Sequence, residues 1–282
     1  MIRYGINTFI WSSPFQTKDL HFLDKAKAMG FDLVEIPIES IGDVDFDKAA
    51  EAYARTGLAA SVCAVMGASR DPSHPDEKIQ QAGIDYLTHL IDGAVAMGGK
   101  MVGGPIYSAV GRQWTQTPEM RREDLARTAK NLRIAADYAE KRGIRLALEP
   151  LNRFETSFIN LTEQALELAE LIGSPAVGVM MDTFHANIEE KHLGRALEMA
   201  GDKLWHVHAN ENDRGIPGSG HVAWAEIAAV LKKNNYSGAL VIESFSTEVK
   251  EIARAAAVWH PPAPTTDMLA LEGMAFLKKL MA

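Results

Sequence analysis

Cysteine is nearly missing from this chain: Cys63 is the only one in 282 residues. It has no partner for an internal disulfide, which fits a reducing compartment, and a thiolate-type zinc site would lack its second sulfur. Long apolar runs are missing as well. The longest stretches free of Asp, Glu, Lys and Arg, Tyr4–Thr17 and Thr56–Ser69, hold 14 residues each, short of the roughly 18 that suggest a membrane span. The first residues, Met1-Ile-Arg-Tyr-Gly-Ile-Asn7, lack the apolar segment of a signal peptide, so a cytoplasmic location is expected. Positive charge is in deficit, 29 Lys and Arg against 37 Asp and Glu for a net −8. That balance argues against nucleic acid as a partner. No low-complexity tract or Pro/Gly/Ser linker divides the chain, and one domain over residues 1–282 is expected.

What the sequence does contain is a repeat of short apolar runs and longer amphipathic segments. The runs Tyr4–Phe9, Leu33–Ile38, Ala59–Met66, Lys100–Gly103, Arg145–Glu149, Val177–Asp182, Leu204–His208 and Ala239–Glu243 are bulky and mostly unalternated, as parallel strands covered on both faces are. Between them the pattern predicts helices over Leu20–Met29, Asp76–Met97, Arg122–Lys141, Glu163–Leu171 and Trp224–Lys233. Gly30, Gly57, Gly98, Gly143 and Gly173 stand where helices commonly end. Eight alternations at about 35 residues each match the βα unit and predict an α/β fold, a (β/α)8 TIM barrel. The rival, a doubly wound open sheet, would carry a glycine-rich turn after its first strand, but Asn7-Thr-Phe-Ile-Trp11 has no glycine.

Four of the runs end in a ligand-type residue: Glu149, Asp182, His208 and Glu243. In a barrel such positions converge on the C-terminal mouth, where barrel enzymes keep their active sites. One polar strand end is ordinarily a loop cap. Four in succession, of compatible chemistry, favour a metal site. Three carboxylates and one imidazole form a mainly hard-oxygen set suited to Mn²⁺ first, with Co²⁺ or Mg²⁺ also compatible.

Neighbouring residues carry weaker signals. His206 shares a strand face with His208 and is expected one layer deeper, as a hydrogen-bonded core residue. Cys63 lies in an apolar strand and is expected in the core. His185, three residues beyond Asp182, either reaches substrate or caps a turn. Asn187-Ile-Glu-Glu190 is expected to start a helix, and Asn152-Arg-Phe-Glu155 either brings a second carboxylate near the mouth or forms an Arg153–Glu155 surface pair. The segment Asn210–His221 is rich in glycine and contains Arg214, so it can hold a sugar hydroxyl or a phosphate.

Taken together, Leu148-Glu-Pro-Leu-Asn-Arg-Phe-Glu155, Met181-Asp-Thr-Phe-His-Ala-Asn-Ile-Glu-Glu190, His206-Val-His208 with Arg214, and Val241-Ile-Glu243 resemble the D-tagatose 3-epimerase / D-allulose (psicose) 3-epimerase family of the xylose-isomerase-like barrels. The resemblance runs over nearly the whole chain. It implies a metal-dependent isomerase that interconverts free ketohexoses (D-tagatose/D-sorbose, D-fructose/D-allulose type) or ketopentoses by proton transfer at C3 through an enediolate. It further implies Glu149, Asp182, His208 and Glu243 as metal ligands, Glu149 and Glu243 as the acid/base pair, and Glu155, His185 and Arg214 as sugar contacts. Trp114, in a loop after strand four, would stack on the sugar. Proton removal next to a carbonyl needs a stabilised enediolate, and inversion needs a carboxylate on each side of the sugar. A sugar phosphate, keto-glycoside or keto-inositol as substrate, and a non-catalytic sugar-binding barrel, are the alternatives. A multi-zinc nuclease would need more histidines and a basic surface. Relatives of this kind are commonly dimers or tetramers, and the apolar loop Trp259-His-Pro-Pro-Ala-Pro264 is either an interface or packs beneath the last helix.

Overall fold

A computed structural model describes residues 2–282. In chain order it runs β1 (Arg3–Asn7), α1 (His21–Met29), β2 (Leu33–Ile38), α2 (Phe46–Thr56), β3 (Ala59–Ala64), α3 (Glu77–Ala96), β4 (Met101–Gly104), α4 (Pro118–Arg142), β5 (Arg145–Leu148), α5 (Thr162–Ile172), β6 (Val177–Asp182), α6 (Thr183–Glu189), α7 (Leu193–Ala200), β7 (Leu204–His208), α8 (Trp224–Lys233), β8 (Ala239–Ile242), α9 (Lys250–Ala255) and α10 (Thr266–Met281). Every strand pairs in parallel with its successor, and β8 pairs with β1, giving a closed eight-stranded barrel. The fold is the (β/α)8 TIM barrel that the alternation predicts. No helix among the described residues is long and apolar enough to cross a membrane.

Local chemistry sets the element ends. Asp45, Asp76, Thr117 and Thr265 each accept a backbone N–H at a helix start, as good N-caps do. Thr117 followed by Pro118 starts α4 four residues before the expected Arg122. The expected strand over Tyr4–Phe9 stops at Asn7, whose side chain accepts from Phe9 N and turns the chain into a single 3-10 turn. Asn187 does not start a helix. Asp182 caps α6 through Phe184 N, so α6 begins at Thr183 and Asn187 lies inside it.

Between barrel and helices lies one large apolar cluster that includes Ile36, Leu87, Leu132, Leu168 and Ile242. Inside the barrel the upper layers are polar instead. Register places Asn7 beside Glu35 and Asp182 beside His208, so strand pairing gathers ionisable groups at the C-terminal ends.

Candidate active site

Asp182 and His208 are the last residues of β6 and β7, while Glu149 and Glu243 follow the last residues of β5 and β8. One potential ligand atom from each of the four lies within 4.8 Å of the others, and all four residues are buried. Glu149 and Glu243 come from opposite sides of the Asp182–His208 pair. Their oxygens lie 3.5 and 3.4 Å from His208 Nδ1. Asp182 is held by Phe184 N and Asn210 Nδ2 on one oxygen and by Arg214 Nη1 on the other. Asn210 also accepts the backbone N–H of Glu243 and so ties Asp182 and Glu243 together.

The donor set fits a divalent cation. Glu149 Oε1 and His208 Nδ1 are fully buried without a hydrogen-bond partner, a loss of about 1–3 kcal/mol per group unless something binds there. His208 Nε2 lies 2.6 Å from Glu35 Oε1. A proton shared with that carboxylate leaves Nδ1 as a lone pair aimed into the cluster, the arrangement that orients metal-binding histidines. Glu35 in turn accepts Asn7 Nδ2 and Ser61 Oγ at 2.9 and 2.8 Å. His206 Nε2 lies 2.9 Å from its second oxygen, which places His206 beneath His208 in the barrel interior.

Burial penalises every charge here, and the neighbours decide the outcome. Burial raises Glu149, and His208 does not fully offset it. Burial also opposes ionisation of Glu243, but His208 and Arg214 outweigh it and hold Glu243 below the ordinary range. Burial works against the His208 cation, yet Glu243 and Glu35 drive it well above the usual histidine value, so a divalent ion taking up Nδ1 would displace a proton from it.

Above the cluster opens a cavity of about 340 Å³. Glu149, Glu155, His185, Arg214 and Glu243 supply its polar side; Phe9, Met66, Val110, Leu151, Phe245 and Ile252 are among its apolar side. Arg214, with a left-handed φ of 64°, reaches Asp182 and Glu243 at 2.7 and 2.8 Å and lies between the rings of Phe184 and Phe245. Asn152 links Glu155 to His185, donating to Glu155 Oε1 at 2.9 Å and lying 2.8 Å from His185 Nδ1. Arg153 does not pair with Glu155; it forms a two-point bridge to Glu189. The cavity lining does not include Trp114, which is half-exposed against Arg112. Cys63 lies at the cavity wall as well as in β3.

The glycine-rich segment after β7 folds around Glu211. This buried carboxylate accepts from Gly218 N, Val222 N and Trp224 Nε1. A Cβ on Gly220 would meet Asn212 Oδ1 at 2.1 Å and Glu211 Cγ at 2.7 Å, so glycine there permits the close wrap. Glu35, Asn7, Asn210 and Glu211 are the supporting residues that motif spacing does not pick out. The only visible hint is Glu35 at the end of Gly30-Phe-Asp-Leu-Val-Glu35.

Residues 23–280 match the family model described as xylose isomerase-like TIM barrel. A D-psicose 3-epimerase of Enterocloster bolteae is 32% identical over 276 residues, covering 96% of this chain and 91% of the relative. An L-ribulose 3-epimerase of Mesorhizobium japonicum is 31% identical, covering 98% and 93%. Among solved structures, the D-allulose 3-epimerase of Methylomonas sp. in complex with D-allulose superposes with a TM-score of 0.93 at 29% identity, covering 99% of this chain and 96% of that one. A closed barrel, a buried three-carboxylate, one-histidine cluster and these near full-length likenesses agree: the chain belongs to the D-tagatose/D-allulose 3-epimerase family of the xylose isomerase-like barrels and is an isomerase of the epimerase class.

Proposed function

We propose that this protein is a divalent-metal-dependent ketose 3-epimerase acting on free ketohexoses or ketopentoses, with Glu149 and Glu243 as its acid/base pair. The observation that carries the reading is the placement of these two buried carboxylates, from β5 and β8, on either side of His208 and at the floor of one cavity. A divalent ion held by Glu149, Asp182, His208 and Glu243 supplies Lewis-acid polarisation of the ketose carbonyl. Mn²⁺ suits the hard-oxygen set, with Co²⁺ or Mg²⁺ as substitutes. One glutamate takes the C3 proton from one face of the sugar, and the other returns a proton to the opposite face, which inverts the centre. Glu155, His185 and Arg214 line the same cavity and orient the sugar hydroxyls.

Two features support an unphosphorylated substrate. Arg214 is the only Lys or Arg among the lining residues described, and it is already paired with Asp182 and Glu243. Backbone N–H groups of the glycine-rich segment, which could cradle a phosphate, go to acceptors within the segment instead: Gly218 N to Glu211, Gly215 N to Asp213, Ser219 N to Ile216 and His221 N to Asn212. The apolar wall from Phe9 to Ile252 is left to pack on the non-reacting end of the sugar. We also propose that the protein is a homodimer or homotetramer: Trp259 is 72% exposed and does not pack beneath α10.

The test is incubation of manganese-loaded enzyme in D₂O with free ketoses, ketose phosphates and keto-glycosides. Solvent deuterium at C3 of an epimeric free ketose is expected. A higher kcat/KM for the phosphorylated or glycosidic substrate, or deuterium at another carbon, overturns the assignment.

A further inference from the structure

At the other end of the barrel, where the strands begin, lies a second cavity of about 550 Å³. Arg3, Lys100 and Arg145 stand on its wall, and no Asp or Glu is among its lining residues. In a chain of net charge −8 this is a local reversal of sign. All three side chains are exposed, and among the described residues none of them forms an ion pair, whereas most other surface arginines with a nearby acid do. Arg145 lies over the ring of Trp205, 4.8 Å from its centroid. Asp202 lines an adjoining depression with Arg145 and makes no bridge to it.

His206 adds an independent observation. It is completely buried, it lines this cavity, and neither of its ring nitrogens has a hydrogen-bond partner. Its Nε2 lies 2.9 Å from a Glu35 oxygen, and the tautomer protonated on Nε2 offers Nδ1 as an acceptor for a hydroxyl. Cations at the rim suit a phosphate dianion. An acceptor at the buried end suits an O–H, and the volume exceeds what inorganic phosphate alone would fill.

We propose that the N-terminal mouth of the barrel binds a phosphorylated sugar or polyol, phosphate toward Arg3, Lys100 and Arg145 and a hydroxyl toward His206 Nδ1. The site is separate from the ketose cavity and its existence does not depend on the reaction assigned there.

The experiment is titration calorimetry of the full-length, manganese-loaded protein with sorbitol 6-phosphate, which has no carbonyl and cannot be turned over, and with inorganic phosphate. Saturable one-to-one binding is expected, weakened by added salt, with sorbitol 6-phosphate binding at least tenfold more tightly than phosphate alone. Equal affinity for the two would reduce the site to a bare phosphate site and overturn the sugar-phosphate assignment. The Arg3→Gln/Lys100→Gln/Arg145→Gln variant should bind at least tenfold more weakly while its kcat/KM on a free ketose stays unchanged. Should that variant not fold, Arg145→Gln alone, a substitution at an exposed side chain, carries the same comparison. Absence of saturable binding, binding that survives the substitutions, or displacement by saturating D-fructose overturns the proposal.

Discussion

Four groups, Asn7 Nδ2, Ser61 Oγ, His206 Nε2 and His208 Nε2, approach the two oxygens of Glu35. All four can present a proton, so the site requires two acceptor oxygens at that point. In Glu35→Gln one oxygen becomes an NH₂ that must face donors on its own side, and His208 loses its orientation. Removing such a supporting carboxylate typically costs 10–100-fold in metal affinity. Calorimetric titration with Mn²⁺ should show a loss of that size; unchanged affinity would mean that Glu35 does not set the histidine. Glu149→Gln and Glu243→Gln test the acid/base pair. Each should abolish turnover with the fold intact by circular dichroism, because both carboxylates face the cavity rather than the apolar layer. Ion occupancy has to be measured alongside, since each is also a ligand. Near-normal epimerisation by either variant removes that glutamate from the chemistry.

At the scale of the element, the end of β4 sets the position of β5. Gly104 has φ +122°, and a Cβ there would lie 2.9 Å from Ala64 O. Its own carbonyl accepts Glu149 N at 3.1 Å. Gly104→Ala therefore strains the backbone that carries a ligand. A destabilisation of roughly 1–3 kcal/mol is expected, read by denaturant unfolding, together with weaker Mn²⁺ binding; wild-type values for both would show that the strand end can relax. Strands were the most legible elements in the sequence, because apolar runs of this kind record burial on both faces. The ligands were legible for the same reason, as charges interrupting those runs at one end. The start of α6 is hard to read because Asp182, one of the proposed ligands, is also its cap. The glycine-rich segment leaves hydroxyl and phosphate both open because glycine shows only that something approaches closely; at Gly220 it is Asn212 and Glu211. Asn7 and Glu35 were unreadable as support because their partners lie 28 to 236 residues away, and local spacing carries no trace of such contacts.

For the molecule as a whole, the cluster links ion binding to stability. Three carboxylates and a histidine share one small volume; Arg214 pairs with Asp182 and Glu243, while Glu149 Oε1 and His208 Nδ1 have no hydrogen-bond partner. An ion that binds the folded state alone, present at 100 times its dissociation constant, adds about 2.7 kcal/mol. Chelation should therefore abolish activity and lower Tm by several degrees, and Mn²⁺ or Co²⁺ should restore both better than Ca²⁺. Full activity in a demonstrably metal-free preparation would refute the metal dependence. Assembly is checked by light scattering at micromolar concentration. A mass two or four times the 30.8 kDa of one chain is expected, and a mass of one chain would refute self-association.

The seam between β8 and β1 has one more effect. Asn7 Nδ2 reaches Glu243 Oε1 at 3.4 Å across 236 residues, and all four proposed ligands lie in the second half of the chain while Asn7 and Glu35 lie in its first strands. During synthesis the ligand-bearing strands leave the ribosome last, and the supporting residues wait for them in an unclosed sheet. Pairing of β7 with β8 sets Glu243 beside His208 before the ring shuts, but only the β8–β1 seam brings Asn7 to Glu243 and Glu35 to His208. The four clustered residues thus depend on neighbouring strands of one half of the chain, whereas the carboxylate that orients His208 reaches it only when both ends of the sheet have met.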